Sequence, residues 1–329
     1  MELFATPDNP VPPGAVVTQV RSAGVDLRVA RWSPRGRKPP RGTVCILQGR
    51  AEFIEKYYET IGNLLNRGFV VVAFDWRGQG GSGREVGNPR KGHVASFNRY
   101  RRDLDAVLAE VVVRDCPTPY FALAHSMGGA ILLDCLADGE TRFQRSVISA
   151  PMLAVATVQR PRLVRSLAEG LSALGFARLF VPGGGATAIS TRPFLGNRLT
   201  SDPVRYARNA AITAAAPQLG LGDPTIGWVR AAYRVMARLA RRQTVEAIKA
   251  QVLVIAAGAD TVVSTPAIER FALHLKSGRA IVLPGARHEL LMERDDIREA
   301  VLAAFDAFVP GTEDPSQSPQ ADSRLSAIA

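Results

Sequence analysis

Apolar and polar positions along this chain of 329 residues follow two periods that alternate. Continuous apolar runs are typical of strands buried on both faces of a sheet, and they lie at residues 43–47, 69–74, 120–124, 146–149, 252–256 and 280–283. Apolar residues at helical spacing lie near residues 52–67, 96–114, 127–137, 266–276 and 293–308. Two alternating segments, 16–20 and 25–32, predict an antiparallel hairpin. Together these patterns predict an α/β fold, a mostly parallel, doubly wound sheet with helices on both faces.

The strand–helix rhythm stops in the middle of the chain. Residues 151–248 contain helical patterns separated by loops rich in Gly and Pro, and they predict a helical lid inserted over the C-terminal ends of the strands. We therefore expect a core formed by residues 15–150 and 249–310. The polar, proline-rich residues 1–14 predict a disordered lead-in, and residues 311–329 predict a disordered tail.

A serine stands where an apolar run meets a helical pattern. Ser126 follows the run Tyr120–Ala124 and has small residues two positions away on either side, Ala124 and Gly128. This pattern is typical of a nucleophile elbow, in which a strained turn exposes the serine hydroxyl and bulky neighbours would collide. In isolation, a serine that caps the N-terminus of a helix is an equally good interpretation. The remainder of the sequence favours the elbow.

A nucleophilic serine needs a base, and the chain has four histidines. His125 adjoins the serine, and its ring points away from the hydroxyl in an elbow. His274 lies inside an amphipathic helical pattern, and we expect His93 at the surface of a basic loop. His288 directly follows the last predicted strand, where a loop reaches back toward Ser126. His288 is therefore the candidate base.

The acid that orients this base is expected one strand–helix unit earlier. Asp260 follows the run at 252–256, whereas Asp134 lies on the helix after the elbow, and Asp295 and Asp296 lie in the first turn of the last helix. Ser126, Asp260 and His288 then occur in the chain order typical of this triad, each in a loop at the end of a strand.

Two backbone N–H groups are candidates for an oxyanion hole. The Met127 N–H lies at the start of a helix directly after the serine. The second candidate is the Arg50 N–H, in the loop Gln48–Glu52 that follows the run at 43–47. Gly49 permits a tight turn there.

The segment Gly78–Gly83 matches the pattern G-x-G-x-x-G of dinucleotide-binding folds. Residues 84–89 do not continue as a helix, so no helix N-terminus is available for a pyrophosphate. We expect these glycines to shape a loop beside the active site, with Asp75 tying the turn.

The formal net charge is +11, and it is unevenly placed. Residues 157–242 contain 13 arginines, no lysine and three acids, which gives this segment a net charge of +10. Such a segment beside an active site suits contact with an anionic membrane, and a solvated surface with biased codon usage is an equally good interpretation. No recognised nucleic-acid-binding module accompanies the charge, so we expect no nucleic-acid partner.

No apolar run approaches the ~18 residues that span a bilayer, and the first 14 residues lack the apolar stretch of a signal peptide. Cys45, Cys116 and Cys135 have no metal-ligand spacing, and we interpret them as small buried hydrophobes. These observations predict a cytoplasmic protein, with peripheral contact at the inner face of the membrane through the arginine-rich lid as a further hypothesis.

Several motifs resemble the α/β-hydrolase superfamily, and within it the group of monoacylglycerol lipases and bacterial lysophospholipases L2. They are residues 48–57, 74–82, 124–129, 258–260 and 285–288 in the core, and 199–203 and 222–228 in the insertion. The resemblance implies an α/β-hydrolase fold with a helical lid, and a serine esterase that uses neither a metal nor an organic cofactor. Two departures are Gln48 where relatives usually carry His, and Ala124 where they usually carry Gly. They bear on the shape of the oxyanion loop and on substrate preference.

The resemblance implies that Ser126 is the nucleophile, His288 the base and Asp260 the orienting acid, with the Arg50 and Met127 N–H groups as the oxyanion hole. The function predicted is a carboxylester hydrolase acting on a small-molecule lipid ester with a single acyl chain, a lysophospholipid or a monoacylglycerol. A small-ester esterase and a serine aminopeptidase on the same scaffold remain alternatives. A hydrolase-like protein that only captures a ligand is the non-enzymatic alternative.

Overall fold

The computed structural model describes residues 1–36 and 38–310, and its centre is one eight-stranded sheet. The strands are β1 (Val16–Ser22), β2 (Val25–Trp32), β3 (Thr43–Leu47), β4 (Val70–Phe74), β5 (Tyr120–His125), β6 (Phe143–Ser149), β7 (Gln251–Ala257) and β8 (Gly278–Leu283). Each apolar run of the sequence forms a strand. The runs in β3, β4, β5, β6 and β7 are buried because both faces of the sheet are covered there, whereas Ile281 and Val282 of the edge strand β8 are exposed.

The spatial order of the strands is β1-β2-β4-β3-β5-β6-β7-β8. The hairpin of β1 and β2 is antiparallel, with Val16 opposite Arg31, and β2 pairs antiparallel with β4. The six strands from β3 to β8 run parallel. The predicted mostly parallel sheet, with its N-terminal hairpin, is therefore confirmed.

Helices cover both faces of this sheet. They are α1 (Tyr58–Asn66), α2 (Phe97–Val107), α3 (Val113–Asp115), α4 (Ser126–Ala137), α5 (Pro161–Ala173), α6 (Pro203–Ala215), α7 (Ile226–Leu239), α8 (Arg242–Glu246), α9 (Thr265–Ala272) and α10 (Asp295–Phe308). One apolar core joins the sheet to α1 and α10, and the other joins it to α2, α4, α7 and α9.

The helix predicted at residues 52–67 begins later than expected. A 3-10 turn, Ile54–Tyr57, precedes α1, and at this point the side chains of Lys56 and Tyr57 both donate hydrogen bonds to Glu52. The helix ends at Asn66, and Gly68, two residues later, has φ +84° and donates its N–H to Leu65 O at 2.9 Å. Gly68 therefore has the left-handed conformation typical of a glycine that follows the C-terminus of a helix.

Residues 151–248 lie between β6 and β7 and contain helices α5 to α8. Their arginines bind acids of the sheet-bearing part of the chain: Arg205 pairs with Glu59 at 2.7 Å, and Arg238 pairs with Asp134 and Asp138. Part of the positive charge of this insertion therefore fastens it to the core. The boundaries of the insertion stay a prediction.

The prediction of a disordered lead-in at residues 1–14 is wrong. The structure places this segment against the core, where the Asn9 Nδ2 donates to Glu55 O at 2.9 Å and the Phe4 N–H donates to Glu55 Oε1 at 3.2 Å. Trp32 Nε1 donates to Pro12 O at 3.0 Å. The polar, proline-rich composition gives no sign of these bonds, because the bonding partners lie far away in the sequence. The predicted tail, residues 311–329, lies outside the described residues.

Among the helices of residues 1–36 and 38–310, none is long and apolar enough to cross a membrane.

The attachment of the N-terminal segment gives a test of its structural role. We expect Asn9→Ala to lower the free energy of unfolding by about 1 kcal/mol, because it removes a buried hydrogen bond that the Glu55 carbonyl accepts in addition to the one from the Tyr58 N–H. Urea unfolding measures this difference. Asp8→Ala, at the exposed neighbouring position, is the matched control and should change stability little. Equal stability of the two variants would contradict the attachment.

Candidate active site

Ser126 lies at the junction of β5 and α4 with φ +48°, in the left-handed region that non-glycine residues rarely adopt. The backbone passes close to the loop after β3 at this turn, which explains why the residues two positions from Ser126 are small. A Cβ on Gly128 would overlap the backbone carbonyl oxygens of Leu47 and Gln48. Ala124 is almost completely buried in β5, and its methyl group is accommodated. The geometry is that of a nucleophile elbow.

His288 and Asp260 lie beside this serine. The Ser126 Oγ and His288 Nε2 are 3.0 Å apart, and the His288 Nδ1 and Asp260 Oδ2 are 2.8 Å apart. Asp260 follows β7, and His288 follows β8. The structure therefore brings together the three side chains that the sequence singles out, over separations of 162 and 28 residues.

The environment of Asp260 favours its charged form. Burial opposes ionisation, but the hydrogen bond with His288 and those from the Val262 and Val263 N–H groups lower the pKa of this carboxyl below its ordinary value. The two N–H groups bind Asp260 Oδ1 at 2.7 and 3.0 Å. A carboxylate on one side of the imidazole holds the proton on Nδ1. The Nε2 lone pair then faces the Ser126 hydroxyl.

The loop of the proposed oxyanion hole, Gln48–Glu52, is held by side chains on both sides. Gln79 Nε2 donates to Gly49 O at 2.8 Å, and the Ala51 N–H donates to Gln79 Oε1 at 3.2 Å. The Gly49 N–H donates to Glu52 Oε2 at 2.5 Å. Within the described residues the Arg50 N–H makes no hydrogen bond, and the Met127 N–H lies in the first turn of α4.

The glycine-rich segment Gly78–Gly83 supports this loop. Its Gln79 makes the bonds just described, and Asp75 accepts from the Ile54 N–H at 3.0 Å and the Gly81 N–H at 2.7 Å. Asp75 also pairs with the buried Arg28 at 2.6 Å. The segment therefore shapes a loop beside the site, with Asp75 tying the turn, as expected from the sequence.

A cavity of about 260 Å³ opens at Ser126 and His288. Part of its wall is apolar and comes from both the core and the insertion: Met152, Val155, Leu199, Trp228, Val262 and Val263. Other lining residues are polar or charged: Glu52, Lys56, His125, Ser190, Tyr206, Asn209 and Glu289. The Asn209 Oδ1 is buried without a hydrogen-bond partner in the described structure. One cavity therefore offers surfaces for an apolar chain and for hydroxyl groups.

The charged residues of this wall form a compact cluster. Lys56 Nζ lies 2.7 Å from Glu52 Oε1 and 2.6 Å from Glu289 Oε1, and the Tyr57 hydroxyl donates to Glu52 Oε2 at 2.7 Å. Burial opposes the charge on Glu52, but Lys56 and His125 lower its pKa to about 2. Burial raises the pKa of Glu289, and Glu52 adds to this effect.

Sequence reasoning missed this cluster. Glu52 and Lys56 are one helical turn apart and follow the oxyanion loop, and Glu289 follows the predicted base directly. Their positions next to candidate site residues are the only sequence feature that indicates a place in the site. Nothing in the sequence alone shows that Lys56 and Glu289 meet, because they come from opposite ends of the chain.

Two other histidines are buried nearby. His125 Nδ1 lies 3.0 Å from Ser149 Oγ, and its ring packs on the His288 ring with centroids 4.8 Å apart. His93 was expected at the surface, and that expectation is wrong. Its Nδ1 lies 2.8 Å from the Thr225 Oγ1 of the insertion, which covers it.

No group of three or more His, Cys, Asp or Glu side chains in residues 1–36 and 38–310 is arranged to hold a metal ion.

A serine on a strained strand–helix turn, with a histidine and a carboxylate at the same edge of a mostly parallel sheet, defines the α/β-hydrolase class. The chain belongs to the family described as Serine aminopeptidase, S33, whose pattern matches residues 38–295. The resemblance inferred from the motifs is therefore confirmed at the level of fold and family, and the family is one of hydrolases.

Individual proteins similar to this chain include lipases and lysophospholipases. The chain is 33% identical to lysophospholipase L2 of Escherichia coli (strain K12) over 292 residues, covering 83% of this chain and 82% of that protein. It is 28% identical to the monoacylglycerol lipase of Mycolicibacterium smegmatis, over 61% of this chain and 68% of that protein. A monoglyceride lipase structure from Saccharomyces cerevisiae shares the fold with a TM-score of 0.71 at 19% identity, covering 93% of this chain and 99% of that chain.

The buried His125 makes stability depend on pH. Burial, with the nearby charges of His288 and Lys56, lowers the pKa of this histidine from 6.5 to about 4, against the opposing charge of Glu52. The unfolded chain binds this proton below about pH 6.5 and the folded chain does not. Stability is therefore complete above pH 6.5 and falls as the pH drops toward 4, by on the order of 2–3 kcal/mol.

We expect His125→Asn to remove most of this pH-dependent loss. Urea unfolding at pH 7 and at pH 4.5 measures the loss in the wild type and in the variant. His274→Asn, in the segment after α9, is the control and should keep the wild-type dependence. An undiminished loss in His125→Asn would show that other groups cause the acid sensitivity.

Proposed function

We propose that this protein is a serine carboxylester hydrolase that acts on single-chain lipids, a lysophospholipid or a monoacylglycerol. The observation that carries the proposal is the hydrogen-bonded chain from Ser126 through His288 to Asp260 at the wall of a cavity with a partly apolar lining. The names of the relatives, lysophospholipase L2 and monoacylglycerol lipase, support the substrate class.

The proposed reaction begins when His288 Nε2 takes the proton of the Ser126 hydroxyl and the Oγ attacks the ester carbonyl. Asp260 stabilises the imidazolium that forms. The N–H groups of Arg50 and Met127 stabilise the negative charge on the carbonyl oxygen. His288 then gives its proton to the departing alcohol, and the acyl group stays on Ser126. Water, deprotonated by His288, releases the fatty acid and restores the serine.

The lining of the cavity supports a substrate with an apolar tail and a hydroxyl-bearing alcohol. Met152, Val155 and Val263 suit an acyl chain. The carboxylates of the Glu52–Lys56–Glu289 cluster and the unpartnered Asn209 Oδ1 accept hydrogen bonds, which suits the hydroxyl groups of a glycerol moiety. In this proposal, residues 151–248 form the lid over the site.

A serine aminopeptidase is the second candidate. Two buried carboxylates, Glu52 and Glu289, line the cavity, and a substrate ammonium group would need such partners. Lys56 already pairs with both at 2.6–2.7 Å, so a second cation would have to displace it. The lipid esterase is therefore the better-supported function.

The function can be tested with a panel of substrates. We expect release of fatty acid from lysophospholipid and monoacylglycerol, with slower cleavage of short p-nitrophenyl esters and none of aminoacyl p-nitroanilides. Ser126→Ala should lower kcat by about 10,000-fold or more, because it removes the nucleophile. Ser277→Ala, at an exposed position far from the site, is the control. Rapid cleavage of the anilides alone would favour the peptidase.

We further propose that the insertion contacts an anionic membrane. Helix α5 and the turn after it expose a group of apolar side chains, Leu163, Leu167, Leu174, Phe176 and Leu179, each at least 44% exposed. Arg160, Arg162 and Arg178 are exposed beside them and form no ion pair in the described residues. An apolar face bordered by free cations is typical of a helix that lies on an anionic lipid surface.

This membrane contact predicts a difference between two kinds of vesicle. We expect the protein to sediment with phosphatidylglycerol vesicles and much less with phosphatidylcholine vesicles. The double variant Leu163→Ser, Leu167→Ser should lose binding by about tenfold or more, because apolar area leaves the interface. Leu273→Ser is the matched control, since Leu273 is 81% exposed on another part of the surface. Equal losses in both variants would contradict the assignment of this face.

A further inference from the structure

Arg50 belongs to the oxyanion loop by its backbone and to the insertion by its side chain. The Arg50 Nη2 donates to Gly222 O at 2.6 Å, across 172 positions of sequence. The guanidinium carbon lies 5.3 Å from the centre of the Trp228 ring, at a distance typical of a cation–π contact. The Arg50 Nε is buried with no hydrogen-bond partner in the described structure.

The guanidinium lies where a core loop and the insertion meet. The Gly222 N–H donates to Arg90 O at 2.8 Å, and the Thr225 N–H donates to Gly92 O at 2.9 Å. A Cβ on Gly92 would overlap the Arg50 side chain, so the glycine leaves the space that the guanidinium fills. The insertion segment 220–228 is therefore bonded to the core around this side chain.

Only the length of one side chain separates the backbone N–H of Arg50 from its guanidinium group. The same residue supplies the proposed oxyanion N–H and holds the Gly222 carbonyl, so a shift of segment 220–228 acts directly on the loop. Burial lowers the pKa of Arg50 to about 10, which leaves it charged at neutral pH and its bonds charge-assisted. An oxyanion donor acts fully only when its N–H lies within a few tenths of an ångström of its place.

We propose that the Arg50 side chain is a positioning device that makes the oxyanion hole depend on the seating of the insertion segment 220–228. This inference rests on the proposed function. In this inference Arg50, which is not a member of the triad, affects kcat. Cleavage would be efficient only when the insertion is packed on the core, because the Arg50 N–H is then aligned with the carbonyl oxygen of the ester.

The experiment compares Arg50→Met and Arg50→Lys with a matched control. Arg50→Met keeps most of the side-chain volume and removes the donors to Gly222. Arg50→Lys keeps the charge and one donor. The control is Arg238→Met, because Arg238 also fastens the insertion to the core, through Asp134 and Asp138, and in the described residues it has no bond with the oxyanion loop or with the segment Gly78–Gly83 that supports it.

We measure kcat and KM with a short p-nitrophenyl ester, thermal unfolding, and inhibition by a boronic acid, which forms a tetrahedral adduct with an active serine. We expect Arg50→Met to lower kcat by about 100-fold with KM within about threefold of the wild type, and to weaken boronic acid binding in parallel. Arg50→Lys should recover about tenfold of this loss. Arg238→Met should keep the wild-type kcat and boronic acid affinity even if its melting temperature falls.

The outcomes separate this inference from the proposed function. A wild type that is active while Arg50→Met keeps its kcat, or loses no more kcat than Arg238→Met, overturns the positioning role alone. A loss confined to KM also overturns it. A folded wild type that cleaves no ester overturns the proposed function, and the positioning role with it.

Discussion

The site depends on a constraint of the parallel sheet, which is that neighbouring strands deliver their C-terminal ends to one edge. Strands β5, β7 and β8 end at this edge, and each is followed by one member of the set Ser126, Asp260 and His288. Hydrogen bonds of 2.8 and 3.0 Å then link side chains that the chain separates widely. A change of register in one of these strands would move one member out of reach. The buried apolar residues of the strands therefore fix the site as firmly as they fix the fold.

Two groups of buried charged side chains lie next to the oxyanion loop. Arg28 pairs with Glu55 and Asp75, and Lys56 pairs with Glu52 and Glu289. Buried ion pairs contribute little net stability, because desolvation offsets their attraction. They do specify geometry, and their carboxylates accept the backbone N–H groups of the loops beside the serine. The polar core of this protein thus defines the shape of its site.

The parts of the fold that could be predicted are those with a local signal. The strands can be predicted from their apolar runs. Ser126 can be predicted from the small residues at positions 124 and 128, because backbone carbonyl groups lie against position 128. Asp260 and His288 follow from strand order. His93, the N-terminal segment around Asn9, and the pairing of Lys56 with Glu289 could not be predicted, because each depends on a partner brought in from far along the chain.

The fastening of the insertion to the core is uneven, and this has a mechanical consequence. Core anchors include residues 198–208, where Arg205 binds Glu59 and Thr200 binds the Met292 carbonyl, residues 220–230, and Arg238, which binds Asp134 and Asp138. The ion pairs of α5 in the described structure join only residues of the insertion itself, through Glu169. The insertion therefore divides into a fixed frame, which lines the cavity through residues such as Leu199, Tyr206 and Trp228, and an outer panel, α5, which supplies none of the lining residues in the described structure. A movement of the panel alone would leave the frame, the cavity wall and the loop beside the serine in register.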